Sequence, residues 1–128
     1  MENLKKMIEN LHIECTEKML QQFAVYMEGI LEWNEKINLT AITDRDEFIV
    51  KHYADSLIAK DIEAMKYAET VIDVGTGGGF PGVPLAIIFP EKQFVLMDSL
   101  NKRLKVIDDL CAKAGITNVV TLHGRAED

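Results

Sequence analysis

Two rhythms of apolar and polar positions divide the chain near residue 70. In the first part the apolar positions recur every three to four residues. Leu4, Met7, Ile8 and Leu11 form one stripe, and Met19, Leu20, Phe23, Met27, Ile30 and Leu31 form a second. That is the spacing of helices that bury one face. Thr16 precedes the second stripe and has the side chain to accept a hydrogen bond from the first helical turn. Trp33–Asn38 breaks the rhythm, and Asn34, Asn38 and Thr40 predict an ordered loop held by side-chain to backbone bonds, with Trp33 packed. Asp44 and Glu47 have capping-box spacing, which opens a helix from Arg45 to about Tyr53. Asp55 or Ser56 then begins another helix through Lys66.

Beyond residue 70 the rhythm becomes short apolar runs separated by turns. Val71–Val74, Gln93–Met97 and Val119–His123 read as buried strands. Between the first two lies an apolar helix from Gly82 to Phe89, stopped by Pro90. Between the last two, Ser99 caps a helix that turns Leu100, Leu104, Ile107, Leu110, Cys111 and Ala114 inward and ends at Gly115. The fold class is therefore α/β: N-terminal helices followed by the first half of a doubly wound, Rossmann-like sheet. Right-handed crossovers give the strand order 3-2-1 and put a ligand at the carboxyl ends of strands one and two. Residues 1–66 are expected to form a helical segment packed on the sheet, and residues 67–128 to carry the sheet.

The chemistry concentrates in the loop after the first strand. Five glycines stand among the eight residues Gly75–Gly82, which lets the backbone turn sharply and approach a ligand closely. The run Gly77–Gly82 fits G-x-G-x-x-G, a weak signal by itself. A pyrophosphate wants free N–H groups there, and Pro81 and Pro84 remove two of them. A Walker loop needs Lys-Ser or Lys-Thr after its last glycine, and Val83-Pro84 follows instead. Between Val71 and Pro90 the only charge is Asp73. An acid in that place repels phosphate and suits a ligand carrying an ammonium or a sulfonium; S-adenosylmethionine carries both. Asp98 follows the second strand, where an acid accepts the ribose hydroxyls of such ligands. That position suits NAD or adenosylmethionine and excludes NADP, so an NAD-dependent reductase stays open on Asp98 alone. Asp98 and Ser99 are also ordinary helix-capping types.

Composition narrows the class further. With 128 residues, 48% hydrophobic and 27% charged, the chain is long enough for one globular domain with a core. No apolar run approaches the roughly eighteen residues of a membrane helix, and the first residues carry no leader pattern, so a cytoplasmic protein without membrane contact is expected. Cys15 and Cys111 lack the spacing of a metal site or a disulfide framework and read as free thiols. Residues 1–70 hold eight basic and fourteen acidic side chains, and residues 71–128 hold six and seven. Neither part is a basic nucleic-acid module. Lys102, Arg103 and Lys105 are the one local cluster, and at helical spacing they read first as a solvated face.

Five stretches carry a resemblance. They are Trp33–Thr40, Lys51–Leu57, the glycine loop Asp73–Gly82, Met97–Arg103 with its Asp-Ser-Leu-Asn-Lys-Arg, and Gly124–Glu127. In order and spacing they resemble the RsmG (GidB) family, bacterial 16S rRNA guanine-N7 methyltransferases. The resemblance implies methyl transfer from S-adenosylmethionine to N7 of a guanine in the 16S rRNA of the small ribosomal subunit. It also implies that Gly75 and Phe80 meet the cofactor and that Ala126 and Glu127 meet the adenine. These join Asp73, Gly77, Asp98 and Ser99 as the expected cofactor-binding set, with no metal. No catalytic residue is named, because guanine N7 has a lone pair and no proton to remove, so the reaction needs positioning more than a base. His52 and Asp55, spaced i, i+3, are accordingly read as structural or as shaping the pocket. The family's domain continues for several strands after the third, where this sequence stops. The chain alone is therefore expected not to methylate RNA and to dimerise through its open sheet edge. The alternative is a catalytically silent cofactor-binding or assembly fragment.

Overall fold

The computed structural model describes residues 2–125. Helix α1 (Glu2–Asn10) buries Leu4 and Ile8, and α2 (Glu17–Trp33) buries Phe23, Tyr26, Met27 and Ile30. Thr16 caps α2 by accepting the Met19 N–H at 3.1 Å. The loop after α2 is held as its asparagine and threonine predict. Asn34 Oδ1 accepts the N–H groups of Leu39 (2.8 Å) and Thr40 (3.0 Å), and Thr40 Oγ1 accepts that of Ile42 (3.1 Å).

Residues 45–67 depart from the two predicted helices. Asp44 caps the start, its carboxylate accepting the Glu47 N–H at 3.0 Å. After α3 (Arg45–Glu47) the chain widens into a π-helix (Phe48–Ala54), narrows through α4 (Asp55–Leu57) and tightens into a 3₁₀ turn (Ile58–Asp61). Asp55 thus opens only the three residues of α4, without capping them and inside one continuous helical path, and no helix runs from there through Lys66. The break falls at Ile62, whose backbone is extended, and α5 (Glu63–Tyr67) follows. The aromatic side chains account for the widening. Phe48 and Tyr53 are five positions apart, a separation that diverges on an α-helix and that an i→i+5 turn brings back towards one side. Both are fully buried, and Tyr53 Oη donates to the Phe23 carbonyl at 2.6 Å.

Strands β1 (Thr70–Val74), β2 (Gln93–Asp98) and β3 (Val119–His123) form one parallel sheet, with β1 paired to β2 and β2 to β3. Helix α6 (Gly82–Ile88) connects the first pair and α7 (Asn101–Ala114) the second. Phe94 and Leu96 of β2 are fully buried beneath α6 and α7, and α2 packs on the outer side of those helices, mainly against α7. The opposite face of the sheet is apolar and open. Register aligns Ile72, Val95 and Val120 in one row and Val74, Met97 and Leu122 in the next. Ile72, Val74, Val120 and Leu122 are 61%, 52%, 48% and 49% exposed.

The start of α7 differs from expectation. Asn101, not Ser99, opens the helix, and no side chain at the preceding residue caps it. Asp98 supplies the turn instead, its Oδ1 accepting the Leu100 N–H at 2.9 Å, and Leu100 stands 40% exposed rather than inward. A short polar acceptor two residues back satisfies the free N–H as well as a cap does. Cys111 is buried on α7, and burial pushes its thiol up to about 12, leaving it protonated and unreactive. Among the described residues no helix is long and apolar enough to cross a membrane, and no group of three or more His, Cys, Asp or Glu is placed to hold a metal.

Candidate functional site

The site grows from the carboxyl ends of β1 and β2. The N–H groups of Gly75 and Thr76 both donate to the Met97 carbonyl, at 2.9 and 3.0 Å, which draws the glycine loop across to β2. Gly75 and Gly77 have φ of +72° and +59°, left-handed values that glycine takes without strain, and no atom lies within 4 Å of where a Cβ would stand on either. Inside the loop, Asp73 Oδ2 accepts the Thr76 hydroxyl at 2.7 Å and the Gly82 N–H at 3.0 Å. The Thr76 carbonyl accepts from Gly79 (3.0 Å) and Phe80 (3.1 Å), and the Gly79 carbonyl accepts from Val83 (2.7 Å). Gly77 donates to Asp98 Oδ2 at 2.9 Å. The amides of residues 75, 76, 77, 79, 80, 82 and 83 are thus all engaged within the chain. Pro81 and Pro84 have none to offer.

Asp98 is 4% exposed and joins three segments. Its carboxylate takes Gly77 from the first loop and Leu100 from the second, and its backbone carbonyl takes the Gly124 N–H at 3.0 Å, tying in the turn after β3. Arg103, one turn into α7, places Nη1 3.7 Å from Asp98 Oδ1. Its Nε is buried without a hydrogen-bond partner. Asp73 lies half-buried beneath the loop. Burial raises its pKa, the bonds from Thr76 and Gly82 oppose that rise, and the nearby Asp98 charge adds to it.

Val74, Gly75, Asp98, Ser99, Arg103, Gly124 and Arg125 together line an open cleft of about 340 Å³. Phe80 faces another neighbourhood. Its ring stacks flat on the His52 imidazole, with centroids 4.3 Å apart and planes 7° apart, and meets the edges of Tyr26, Phe48 and Tyr53. Tyr26 Oη donates to the Gly78 carbonyl at 2.6 Å. The N-terminal helices therefore grip the loop from the side away from the cleft.

A family model described as GidB, rRNA small subunit methyltransferase G, matches residues 19–128. The chain belongs to the GidB family. Similar relatives carry the name Ribosomal RNA small subunit methyltransferase G. One from Clostridium novyi (strain NT) is 48% identical over 120 residues, covering 94% of this chain and 49% of that protein. Another from Clostridium perfringens (strain 13 / Type A) is 46% identical over 125 residues, covering 98% and 52%. One from Alkaliphilus metalliredigens (strain QYMF) is 44% identical, also over 125 residues, with 98% and 52% covered. The chain spans about half the length of the curated relatives it matches.

In this GidB chain the residues predicted from sequence fall into three groups. Gly75, Asp98 and Ser99 line one cleft, and Gly77 is bonded to Asp98. Asp73 and Phe80 hold the loop from beneath and from the helical side. Ala126 and Glu127 lie outside the described residues. Ser99 enters with its backbone as well, its carbonyl accepting from His123 Nε2 at 3.0 Å. Arg103 and Arg125 line the cleft although the sequence assigned them no site role. The signal for Arg103 was its place five residues after Asp98, on the first turn of the following helix. His52 bonds to Thr40 and makes no hydrogen bond to Asp55; Thr40 Oγ1 and His52 Nε2 are 2.6 Å apart.

Proposed function

We propose that this chain carries the cofactor-binding part of an S-adenosylmethionine-dependent methyltransferase, and that the whole protein methylates N7 of a guanine in 16S rRNA of the small ribosomal subunit. The observation that carries this reading is the state of the glycine loop. Seven of its amides are bonded within the chain and its single charged side chain is a carboxylate, so it suits a close-approaching ligand that is cationic at that end and offers little to phosphate. Family membership agrees with it, and so do the relatives' names.

Each residue's part follows from its chemistry. A carboxylate oxygen has two acceptor positions, and Asp98 spends one on Gly77 and one on Leu100. One position per oxygen is left for a ribose diol at the cleft. Gly75 leaves its upper side open to the ligand, and Asp73 keeps a negative charge beneath the loop. Ser99, Phe80, Ala126 and Glu127 complete the set, the last two towards the adenine as the family resemblance implies. When bound, the cofactor supplies a methyl group made electrophilic by its sulfonium. The protein then has only to hold acceptor and donor in line and exclude water, with no residue required as a base. The acidic balance of the chain, −7, leaves RNA phosphate contacts to the whole protein, which acts in the cytoplasm.

Titration calorimetry with adenosylhomocysteine and with NAD tests this reading. Adenosylhomocysteine binds and NAD does not. Asp98→Ala weakens the former about 10- to 100-fold, the loss expected for a charge-assisted interaction of roughly 1.5–3 kcal/mol. Binding of NAD without adenosylhomocysteine overturns the assignment.

A further inference from the structure

We propose that His52 is a positioning residue for the glycine loop: held by Thr40 and stacked flat on Phe80, its imidazole fixes the ring by which the N-terminal helices hold the loop. The inference rests on the reading above, that the loop with Phe80 takes the methyl donor.

Four aromatic rings surround Phe80, and three meet it edge-on at 5.5–6.2 Å between centroids: Phe48, Tyr26 and Tyr53. Only His52 lies parallel to it, at 4.3 Å and 7°. Edge and stacked pairs each contribute to holding a ring, and His52 supplies the one stacked partner among these four. Phe80 is partly buried within this box and packs against the core.

The imidazole is itself held. Thr40 Oγ1 lies 2.6 Å from His52 Nε2 and already accepts the Ile42 N–H. With a second acceptor position still open on Oγ1, which of the two groups donates is set by the imidazole tautomer. Thr40 in turn is fixed through its backbone N–H by Asn34 Oδ1. A continuous path thus runs from Asn34 through Thr40 and His52 to Phe80 and the glycine loop, and it ties the helical part of the chain to that loop. A neutral imidazole suits this arrangement. Burial lowers the His52 pKa below its usual 6.5, outweighing the opposing field of Asp55. Asp55 is the charged group that reaches it. Thr40 from the preceding loop, Phe48 from the π-helix and Phe80 from the glycine loop present no charge. Protonation fixes a donor on Nε2, so that Thr40 Oγ1 must accept there, and places a charge among aromatic rings.

The test uses the 128-residue chain with adenosylhomocysteine as probe, followed by calorimetry from pH 5 to 8. His52→Ala is expected to weaken binding about 5- to 10-fold, the loss of one stacked pair. His52→Phe restores the stack and recovers most of that affinity. The wild type binds less tightly as pH falls below His52's usual 6.5, while His52→Phe loses this dependence. Thr40→Val leaves every ring in place and still weakens binding about 2- to 5-fold, the range of a single hydrogen bond, and it serves if His52→Ala fails to fold. Folded variants whose affinity and pH profile match the wild type overturn the role of His52 while leaving the functional reading intact. A folded wild type that binds no adenosylhomocysteine removes both.

Discussion

Tyr26 carries more of the site than its distance from the cleft indicates. Its hydroxyl is fully buried and donates to a buried loop carbonyl, that of Gly78. Tyr26→Phe removes the donor, keeps the ring and strands the carbonyl, so stability is expected to fall by about 1–3 kcal/mol in chemical denaturation. A loss under a few tenths would show that solvent reaches Gly78 and that the buttress is dispensable. Burial also raises the Tyr26 pKa well above its usual 10, as it does for Tyr53. The sign follows from linkage: below pH 10 the phenol is neutral in both states and its contribution is intact. As pH rises past 10 the unfolded chain gives up the proton first and stability declines. The decline should be shallower in Tyr26→Phe.

Elements were legible in the sequence to the extent that local patterns decide them. The three strands and α6 followed from apolar runs between turn residues, and Thr16 and Asp44 marked helix starts that their side chains do cap. The π-helix was not legible, because its cause is tertiary. Phe48 and Tyr53 read as helical residues locally, and only a core that takes both selects the wider turn. The start of α7 was misassigned to Ser99 because two adjacent polar residues offer the same chemistry, and Asp98 already sits within the last position of β2. In the loop, sequence gave the lost donors at Pro81 and Pro84 but not the internal use of the glycine amides, which depends on the carbonyl of Met97 and the carboxylates of Asp73 and Asp98. Gly79 shows how tightly that element is fitted. Its φ is +98°, and an added Cβ would stand 2.3 Å from Tyr26 Oη and 2.9 Å from Val83 Cγ2. Strain and overpacking combine, so Gly79→Ala should cost about 2–4 kcal/mol in denaturation. A cost below about 1 kcal/mol would mean that the loop shifts freely.

At the scale of the molecule, the feature with the widest reach is that the helices lie on one side of a parallel sheet. Such sheets are ordinarily covered on both faces, and here the second face presents Ile72, Val74, Val120 and Leu122 beside the outer edge of β1. An apolar face next to an open edge is a template for association. Light scattering on the 128-residue chain should give a mass above that of the monomer, and Val74→Lys with Leu122→Glu should move it towards the monomer without unfolding it. A monomer at every concentration measured would show that solvent tolerates this face.

The glycine loop, with seven of its amides already bonded, has a consequence for competition. Adenine nucleotides share adenosine with the proposed cofactor and differ from it chiefly in the charge carried at the 5′ end. A pocket that favoured the cofactor only by gripping adenosine would take those nucleotides equally well. This loop separates them by withholding: a polyphosphate arriving there must give up its hydration for amides most of which are already committed, above a carboxylate of its own sign. Mutations that weaken the adenosine contacts therefore lower affinity for both kinds of ligand while leaving the preference between them nearly unchanged.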